Sequence, residues 1–366
     1  ARETQRVLAE DGWAAPQWPR EFGGRGCSLV ELMIWAEEKA AFHLPVGVFE
    51  IGLAMCGPTI MAHGTDEQRA RYLPPLLRGD EIWCQLWSEP GAGSDLAGLS
   101  SRAERDDSGD WVLNGQKVWT SGAHYAQFGL GVFRSNPDVP KHKGITCLIV
   151  DMSAPGVEVR PLRQITGDAH FNEVFFTDAV VPAANVVGEV DGGWGVARTL
   201  MMFERAAVGG MTSPSRAIAP LLRLARRTVR DGGTAAEHAV LRQRLAELYI
   251  AGRLFDLTTA RVRSALSKGG MPGTESSILK LAAAQLGTRA AETGLDVLGA
   301  GGALVGPDAP EGGRWADALL GAPALHIGGG TDNIQRNIIG EQVLGLPREP
   351  STDRDVPFRD LPVAGR

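Results

Sequence analysis

What this sequence lacks narrows its function first. It has only four cysteines, Cys27, Cys56, Cys84 and Cys147, scattered along 366 residues. None forms a metal-type pair, and so large a chain has little need of a disulfide framework. Reduced thiols and a cytoplasmic setting are therefore expected. The seven histidines show no metal-ligand spacing. No uninterrupted apolar run is long enough to span a bilayer, and no signal peptide is seen, so membrane insertion is not expected. Residue 1 is Ala rather than Met, and an N-terminal piece is expected to be absent. No Lys/Arg block stands out against a net charge of −6, which argues against nucleic acid as a partner. The nearest basic cluster, Arg223 to Arg230, interleaves Leu and Val with the charges and reads as a solvated helix face.

Apolar residues make up 43% of the chain, enough for a sizeable core, and the length suggests two or three domains. The first 80 residues read as helices. Ser28 with Glu31, and Thr65 with Gln68, have capping-box spacing. The second helix, "TDEQRARYL", is expected to end before Pro74. "VGVFEIGLAMCGPTIMAH" reads as a buried helix. From Ile82 to about Val190 strand patterns alternate with Gly, Pro, Asn and Asp. In "WVLNGQKVW", Asn114-Gly115 predicts a hairpin turn, and "GITCLIVDM", "VEVRPL" and "FNEVFFTDAVVP" read as further strands. Helices return after Gly192: "WGVARTLMMFERAAV", a long one over Ala236 to Leu266, and a third over Glu275 to Leu298. Leu241, Leu245, Leu248, Phe255 and Val262 mark the apolar stripe of the long one. "GGALVGPDAPEGGRW" reads as a Gly/Pro loop. "HIGGGTDNIQRNIIGE" starts the last helix, with Thr331 as N-cap. The expected fold class is α+β: an N-terminal helical domain (1–81), a middle antiparallel β domain (82–190), a C-terminal helical bundle (191–347) and a loosely ordered polar tail (348–366).

Two segments offer chemistry. "WSEPGAGSDLAGL", Trp87 to Leu99, would expose backbone N–H groups and hydroxyls to an anion or a polar ring. It lacks the spacing of a dinucleotide fingerprint. "KVWTSG" supplies a planar ring at Trp119 and hydroxyls at Thr120 and Ser121, although a core aromatic would explain Trp119 as well. Together with "WPREFGG", "HGTDEQRARYLPPLLRGD", "NGQKVWTSGAHYA", "FNEVFFTDAVVP", "FER" and "GGGTDNIQRNIIGE", in this order, they make a chain that resembles the acyl-CoA dehydrogenases. The resemblance implies an α domain, a β domain and a C-terminal four-helix domain, with FAD as cofactor and an acyl-CoA thioester as substrate. It implies that Gln85, Leu86, Trp87, Ser88 and Ser94 line the flavin, with Ser88 on the pyrimidine edge and Ser94 near a phosphate and the substrate. Trp119 would cover one flavin face and Ser121 would reach N5. Thr331 and Asn333 would also contact the cofactor, and electrons would pass to an electron-transferring flavoprotein.

Taking a proton alpha to a thioester needs a positioned carboxylate in a water-poor pocket. Relatives often carry that base as Glu in "Glu-Gly-Thr", but here the sequence reads Gly329-Gly330-Thr331. Other relatives supply it from an earlier "LER"-like segment, matched by Phe203-Glu204-Arg205. Glu204 is flanked by Met201, Met202, Phe203, Ala206, Ala207 and Val208, apolar neighbours that would raise its pKa. A bland alternative is a surface Glu paired with an Arg. The resemblance assigns Glu204 as base, the Gly329 N–H as donor to the thioester carbonyl, and Arg205 to orienting Glu204 or contacting the substrate. The family's adenosine-diphosphate clamp is altered: "LARRTVRDGGTAAEH" has no Phe-Gly, Asp296 stands where Gln is usual, and Asn333 replaces Gln or Glu. The chain is thus expected to be a homo-oligomer with a changed clamp or one subunit of a hetero-oligomer with a related partner. A non-catalytic structural subunit and an oxidase are the alternatives. Nitroalkane-oxidising relatives carry Asp at position 329 and are disfavoured. A bulky acyl-CoA is the expected substrate.

Overall fold

The computed structural model describes residues 1–39, 41–42, 44–211, 214–267, 275–306, 308–348, 350 and 352–362. The chain forms two compact units, Ala1–Glu204 with Glu349–Arg366, and Arg205–Arg348.

The first unit begins with helices α1 (Arg2–Glu10), α2 (Leu29–Lys39), α3 (Gly57–His63) and α4 (Asp66–Arg78). Both capping boxes form. Ser28 N donates to Glu31 Oε2 at 2.7 Å, and Thr65 and Gln68 exchange side-chain and backbone bonds at the start of α4. A π turn over Gly52–Cys56 leads into α3 and carries Leu53, Met55 and Cys56 inward. Contrary to expectation, α4 does not stop before Pro74. It runs through Pro74 and Pro75 to Arg78, and Gly79 closes it at φ 74°. The prolines leave the carbonyls of Ala70 and Arg71 without helical donors. Burial of Leu73, Leu76 and Leu77 on either side offsets that loss.

The sheet that follows contains β1 (Trp83–Leu86), β2 (Arg102–Arg105), β3 (Trp111–Ser121), β4 (Phe128–Arg134), β5 (Ile145–Asp151), β6 (Val157–Leu162), β7 (Phe171–Val181) and β8 (Val186–Val187). Its order is β6-β7-β3-β2-β4-β5-β8, with β1 also paired to β4. All ladders are antiparallel except β1–β4 and β2–β4. One face packs Leu86, Trp111, Leu113, Phe133, Leu148, Val174 and Phe176 into a dry core.

Asn114-Gly115 is not a turn. β3 passes straight through it as one strand of 11 residues, and the register against β7 slips between Leu113 and Gly115. Gly115 adopts φ 143°, and a Cβ there would lie 2.4 Å from Ser101 Oγ. The pair marks a bulge, where glycine serves close backbone approach rather than reversal. Asn114 Nδ2 donates to Asp178 Oδ1 at 2.9 Å, and Asp178 N donates back to Asn114 Oδ1 at 3.0 Å.

The described part of the C-terminal tail also departs from expectation, because it is packed. Phe358 is 2% exposed and lies 3.9 Å under the Arg134 guanidinium. Its N–H bonds to Val139 O at 2.9 Å, and Lys141 Nζ reaches Asp353 Oδ2 at 2.6 Å.

Helix α5 (Gly193–Met211) leads out of the first unit. The second unit contains α6 (Ile218–Arg227), a small hairpin of β9 (Val229–Arg230) and β10 (Gly233–Thr234), α7 (Ala239–Ser267), α8 (Glu275–Leu298), α9 (Arg314–Ile327) and α10 (Asp332–Ile338). Helices α6 to α9 share one core of Leu221, Leu224, Leu245, Leu248, Leu286 and Trp315, with others. Arg223, Arg226 and Arg227 lie on the exposed face of α6. Helix α9 was not expected. Its first turn falls inside the Gly/Pro segment, where Gly313 at φ 78° ends the loop and Trp315 is buried. Thr331 caps α10 as its sequence predicts, accepting from Ile334 N at 3.2 Å. That helix is short, seven residues and then a π turn over Ile339–Val343.

Candidate active site

In the first unit, β1 positions the start of the Gly/Ser loop. Leu86 is fully buried and pairs with Gly131 of β4, so the chain leaves the core with its backbone fixed at Trp87 and Ser88. A buried cation then holds it. Lys117 of β3 is wholly enclosed. Its Nζ donates to Trp87 O at 3.1 Å and to Glu89 Oε1 at 2.8 Å, and it lies 5.0 Å from the Phe133 ring centroid. Glu89 accepts further bonds from Ser100 N (2.6 Å), Ser100 Oγ (3.1 Å) and Ser101 N (3.0 Å). Both ends of the loop are thus stapled to one carboxylate. Burial pushes the Glu89 carboxyl up, but the charge and hydrogen bond of Lys117, with the serine donors, outweigh it. They hold the group below its ordinary value, as a carboxylate. Ser88 O accepts from Val118 N at 2.9 Å, next to Trp119.

Sequence reasoning missed the Glu89–Lys117 pair. Inward positions of β3 are Trp111 and Leu113, then Lys117, Val118 and Thr120. Alternation from Trp111 and Leu113 does carry Lys117 onto the inward face, but no local pattern supplies its partner, because Glu89 lies 28 residues away.

Trp119 stands differently from its neighbours. Its backbone is held at φ 61°, a conformation that costs an ordinary residue about 1–3 kcal/mol. Its ring is 60% exposed and meets Phe171 edge-on at 5.8 Å. Such a side chain is presented outward rather than packed, which overturns the core-aromatic reading. Ser121 closes β3 opposite Phe171. Ser94 is exposed, beside Asp95, whose Oδ2 accepts from Lys141 at 2.9 Å. Glu204 on α5 is half-buried. Its Oε2 accepts from Gln85 Nε2 at 3.5 Å, the long end of the hydrogen-bond range. The structure therefore joins Gln85, Leu86, Trp87, Ser88, Trp119 and Glu204 through direct contacts or adjacent residues, and leaves Ser94 further along the loop. Arg205 belongs to α5, and its side chain, with those of Ala206, Ala207 and Val208, lies outside the described residues.

In the second unit, Gly329 and Gly330 take φ 65° and 91° between α9 and α10, and a Cβ on Gly329 would meet nothing within 4 Å. Gln335 Nε2 donates to Gly329 O at 2.9 Å. Asn333 is exposed and accepts from Arg336 at 3.0 Å. Where the sequence predicts an altered clamp, Arg244 pairs with the Asp296 carboxylate, and Arg230 of the hairpin donates to the Asp296 carbonyl. The charge that would repel a pyrophosphate is thus met within the unit.

Models of three acyl-CoA dehydrogenase domains match the chain in order: the N-terminal domain at residues 1–80, the middle domain at 84–179 and the C-terminal domain at 191–344. Acyl-CoA dehydrogenase IpdE1 of Mycobacterium tuberculosis is 41% identical over 95% of this chain and 88% of its own length. The chain belongs to the acyl-CoA dehydrogenase family. Acyl-CoA dehydrogenase FadE34 of the same organism is also 41% identical over 94% of the chain, which spans 46% of FadE34. Among solved structures, the ChsE4-ChsE5 complex from Mycobacterium tuberculosis has a TM-score of 0.83 at 34% identity, covering 95% of this chain and 90% of that one. The Tcur3481-Tcur3483 steroid ACAD has a TM-score of 0.83 at 31% identity, covering 95% and 89%.

As an acyl-CoA dehydrogenase the protein is an oxidoreductase, with FAD as its cofactor. The outward Trp119 ring on a strained backbone, and a loop stapled at both ends, fit a planar group that needs a rigid wall. Among the described residues no cluster of His, Cys, Asp and Glu could hold a metal. No helix there is long and apolar enough to cross a membrane.

Proposed function

We propose that this chain removes hydrogen from the alpha and beta carbons of a bulky acyl-CoA thioester, with Glu204 taking the alpha proton. Bound flavin supplies the acceptor for the beta hydride. The observation that carries the reading is the contact between Glu204 and Gln85. It sets a half-buried carboxylate beside the strand that runs directly into Trp87 and Ser88. An amide donor beside the carboxylate orients it. Leu86 and Trp87 present backbone to the cofactor, Ser88 its pyrimidine edge, Ser94 a phosphate or the substrate, Trp119 one ring face and Ser121 N5. Gly329 lends its N–H to the thioester carbonyl, and Thr331 and Asn333 contact the cofactor. Arg205 orients Glu204 or binds the substrate. The working domains are 1–81, 82–190 and 191–347, followed by the tail. Four free thiols support a reducing, cytoplasmic setting, and an electron-transferring flavoprotein takes the electrons.

The relatives named as a steroid ACAD and as the ChsE4-ChsE5 complex favour a steroid-sized acyl group and a related partner subunit. Asp296, bonded to Arg244 where the family uses Gln, supports a partner that completes the flavin clamp. Expressed alone, the chain would then be colourless and gain flavin only with that partner. A yellow chain purified alone refutes the hetero-oligomer. For the base, Glu204→Gln should keep flavin but lose both flavin bleaching by acyl-CoA and exchange of alpha protons with deuterated solvent, by at least about a hundredfold. Unchanged exchange removes Glu204 from the role.

A further inference from the structure

A polar chain crosses the second unit underneath the three-glycine turn, and nothing in the reaction as described so far uses it. His326, in the last turn of α9, directs Nδ1 to Asp332 Oδ2 at 2.7 Å. Asp332 is the first residue of α10, so this bond spans the whole Gly328–Gly330 turn. The other ring nitrogen, Nε2, meets Thr288 Oγ1 of α8 at 2.9 Å. Lys280, one helix face away on α8, places Nζ 3.7 Å from Asp332 Oδ1. Asp332 and Lys280 are both largely enclosed, at 18% and 14% side-chain exposure.

The turn needs an external restraint. Three glycines in succession carry no side chains to pack and have wide backbone freedom. Gly329 in particular has open space around its Cβ position. Two local bonds help, from Gln335 Nε2 to Gly329 O and from Ile334 N to Thr331 Oγ1. Both lie on the α10 side. Among the described residues, only the His326–Asp332 bond ties the α9 side to the α10 side, and Thr288 anchors the pair to a third helix.

The clasp is compatible with either arrangement of protons on the ring. Asp332 as a carboxylate can only accept, so Nδ1 carries hydrogen in either charge state. Thr288 also lies 3.0 Å from Ala284 O. When it donates there, Nε2–H donates to the hydroxyl and the ring is charged. When it turns to donate to Nε2, the ring is neutral. The Nδ1–H to Asp332 bond is common to both. Thr288 is mid-helix with its hydroxyl shared with its own helix, so the array serves as an anchor rather than a nucleophile.

We propose that His326 is a positioning residue, which clasps Asp332 across the glycine turn, is anchored by Thr288, and so fixes the Gly329 N–H for the developing enolate. The catalytic half rests on the assignment of that N–H to the thioester carbonyl. The structural half does not.

Asparagine and glutamine separate the two ring nitrogens, since an Asn amide reaches where Nδ1 is and a Gln amide where Nε2 is. The test uses the flavin-loaded protein, with its partner subunit if one is needed, as parent, His326→Gln and His326→Asn. Deuterium uptake of the peptide over 328–335 should rise in His326→Gln, with that of α7 unchanged. Exchange of substrate alpha protons should slow roughly tenfold or more at unchanged KM, the scale of a misplaced oxyanion donor. His326→Asn should recover most of both losses. Unchanged uptake in His326→Gln overturns the clasp, as does equal damage from both variants, which would mean that ring packing matters and the bond does not. Raised uptake with undiminished alpha-proton exchange overturns the positioning role. A failure of the parent reading looks different: Glu204→Gln would leave alpha-proton exchange intact while His326→Gln still raised uptake.

Discussion

Lys117→Met tests whether a buried charge pair holds the Gly/Ser loop. Methionine nearly matches the lysine stem and removes only the ammonium. Glu89, 6% exposed, would keep its donors from Ser100 and Ser101 but lose its counter-charge. Trp87 O would lose its donor as well. Removing one partner of a buried pair costs about 3–5 kcal/mol. The three retained serine bonds place this case near the lower end, about 3 kcal/mol. At about 2–4 °C per kcal/mol for a domain of 150–250 residues, the melting temperature should fall by about 6–12 °C.

The pH dependence gives the sharper sign. In the parent, Glu89 is held below its ordinary value. It therefore contributes stability above the unfolded value of about 4.3, which is lost as pH falls through the folded one. Without Lys117, burial is the dominant influence and pushes the carboxyl up. The variant's deficit is then largest near neutral pH and shrinks toward pH 4. Thermal melts at several pH values, with flavin content measured on the same samples, give the answer. A loss below about 1 kcal/mol with no pH trend would show that the pair is not ionised and that the staple reasoning fails. The double variant with Glu89→Gln should lie closer to the parent than Lys117→Met does, because no buried charge is stranded.

Other expectations follow from single residues. Gly115→Ala places a Cβ 2.4 Å from Ser101 Oγ at φ 143° and should destabilise by about 1–3 kcal/mol in thermal melts. Gly329→Ala has room but a φ of 65°, so only the left-handed strain of about 1–2 kcal/mol applies. Cys56, Cys84 and Cys147 are buried, and burial pushes the Cys84 thiol up to about 12. A thiol reagent at pH 8 should therefore label Cys27 alone in the native protein and all four in denaturant. Rapid native labelling of a second cysteine would contradict the packing of the sheet.

Much of this protein is decided locally, and that part was legible. The capping boxes at Ser28 and Thr65, the Thr331 cap and the stripe on α7 rest on residues three to seven apart, where helix geometry fixes who meets whom. The family motifs, being contiguous, pointed to Gln85 through Ser94, Trp119, Ser121 and Glu204 as site candidates. What sequence patterning misjudged depends on partners distant in the chain. Asn114-Gly115 has hairpin chemistry, but a second strand and Ser101 make it a bulge. Pro74 should end a helix, but the core on either side of it continues the helix. The tail is polar on average, yet one residue, Phe358, finds Arg134 and packs. The staple of Glu89 on Lys117 joins residues 28 apart in sequence, and the anchor of His326 on Thr288 joins residues 38 apart. Local sequence sets propensity and period. Which carboxylate meets which cation in a dry interior is decided only when burial removes water and makes an unpaired charge too costly to keep.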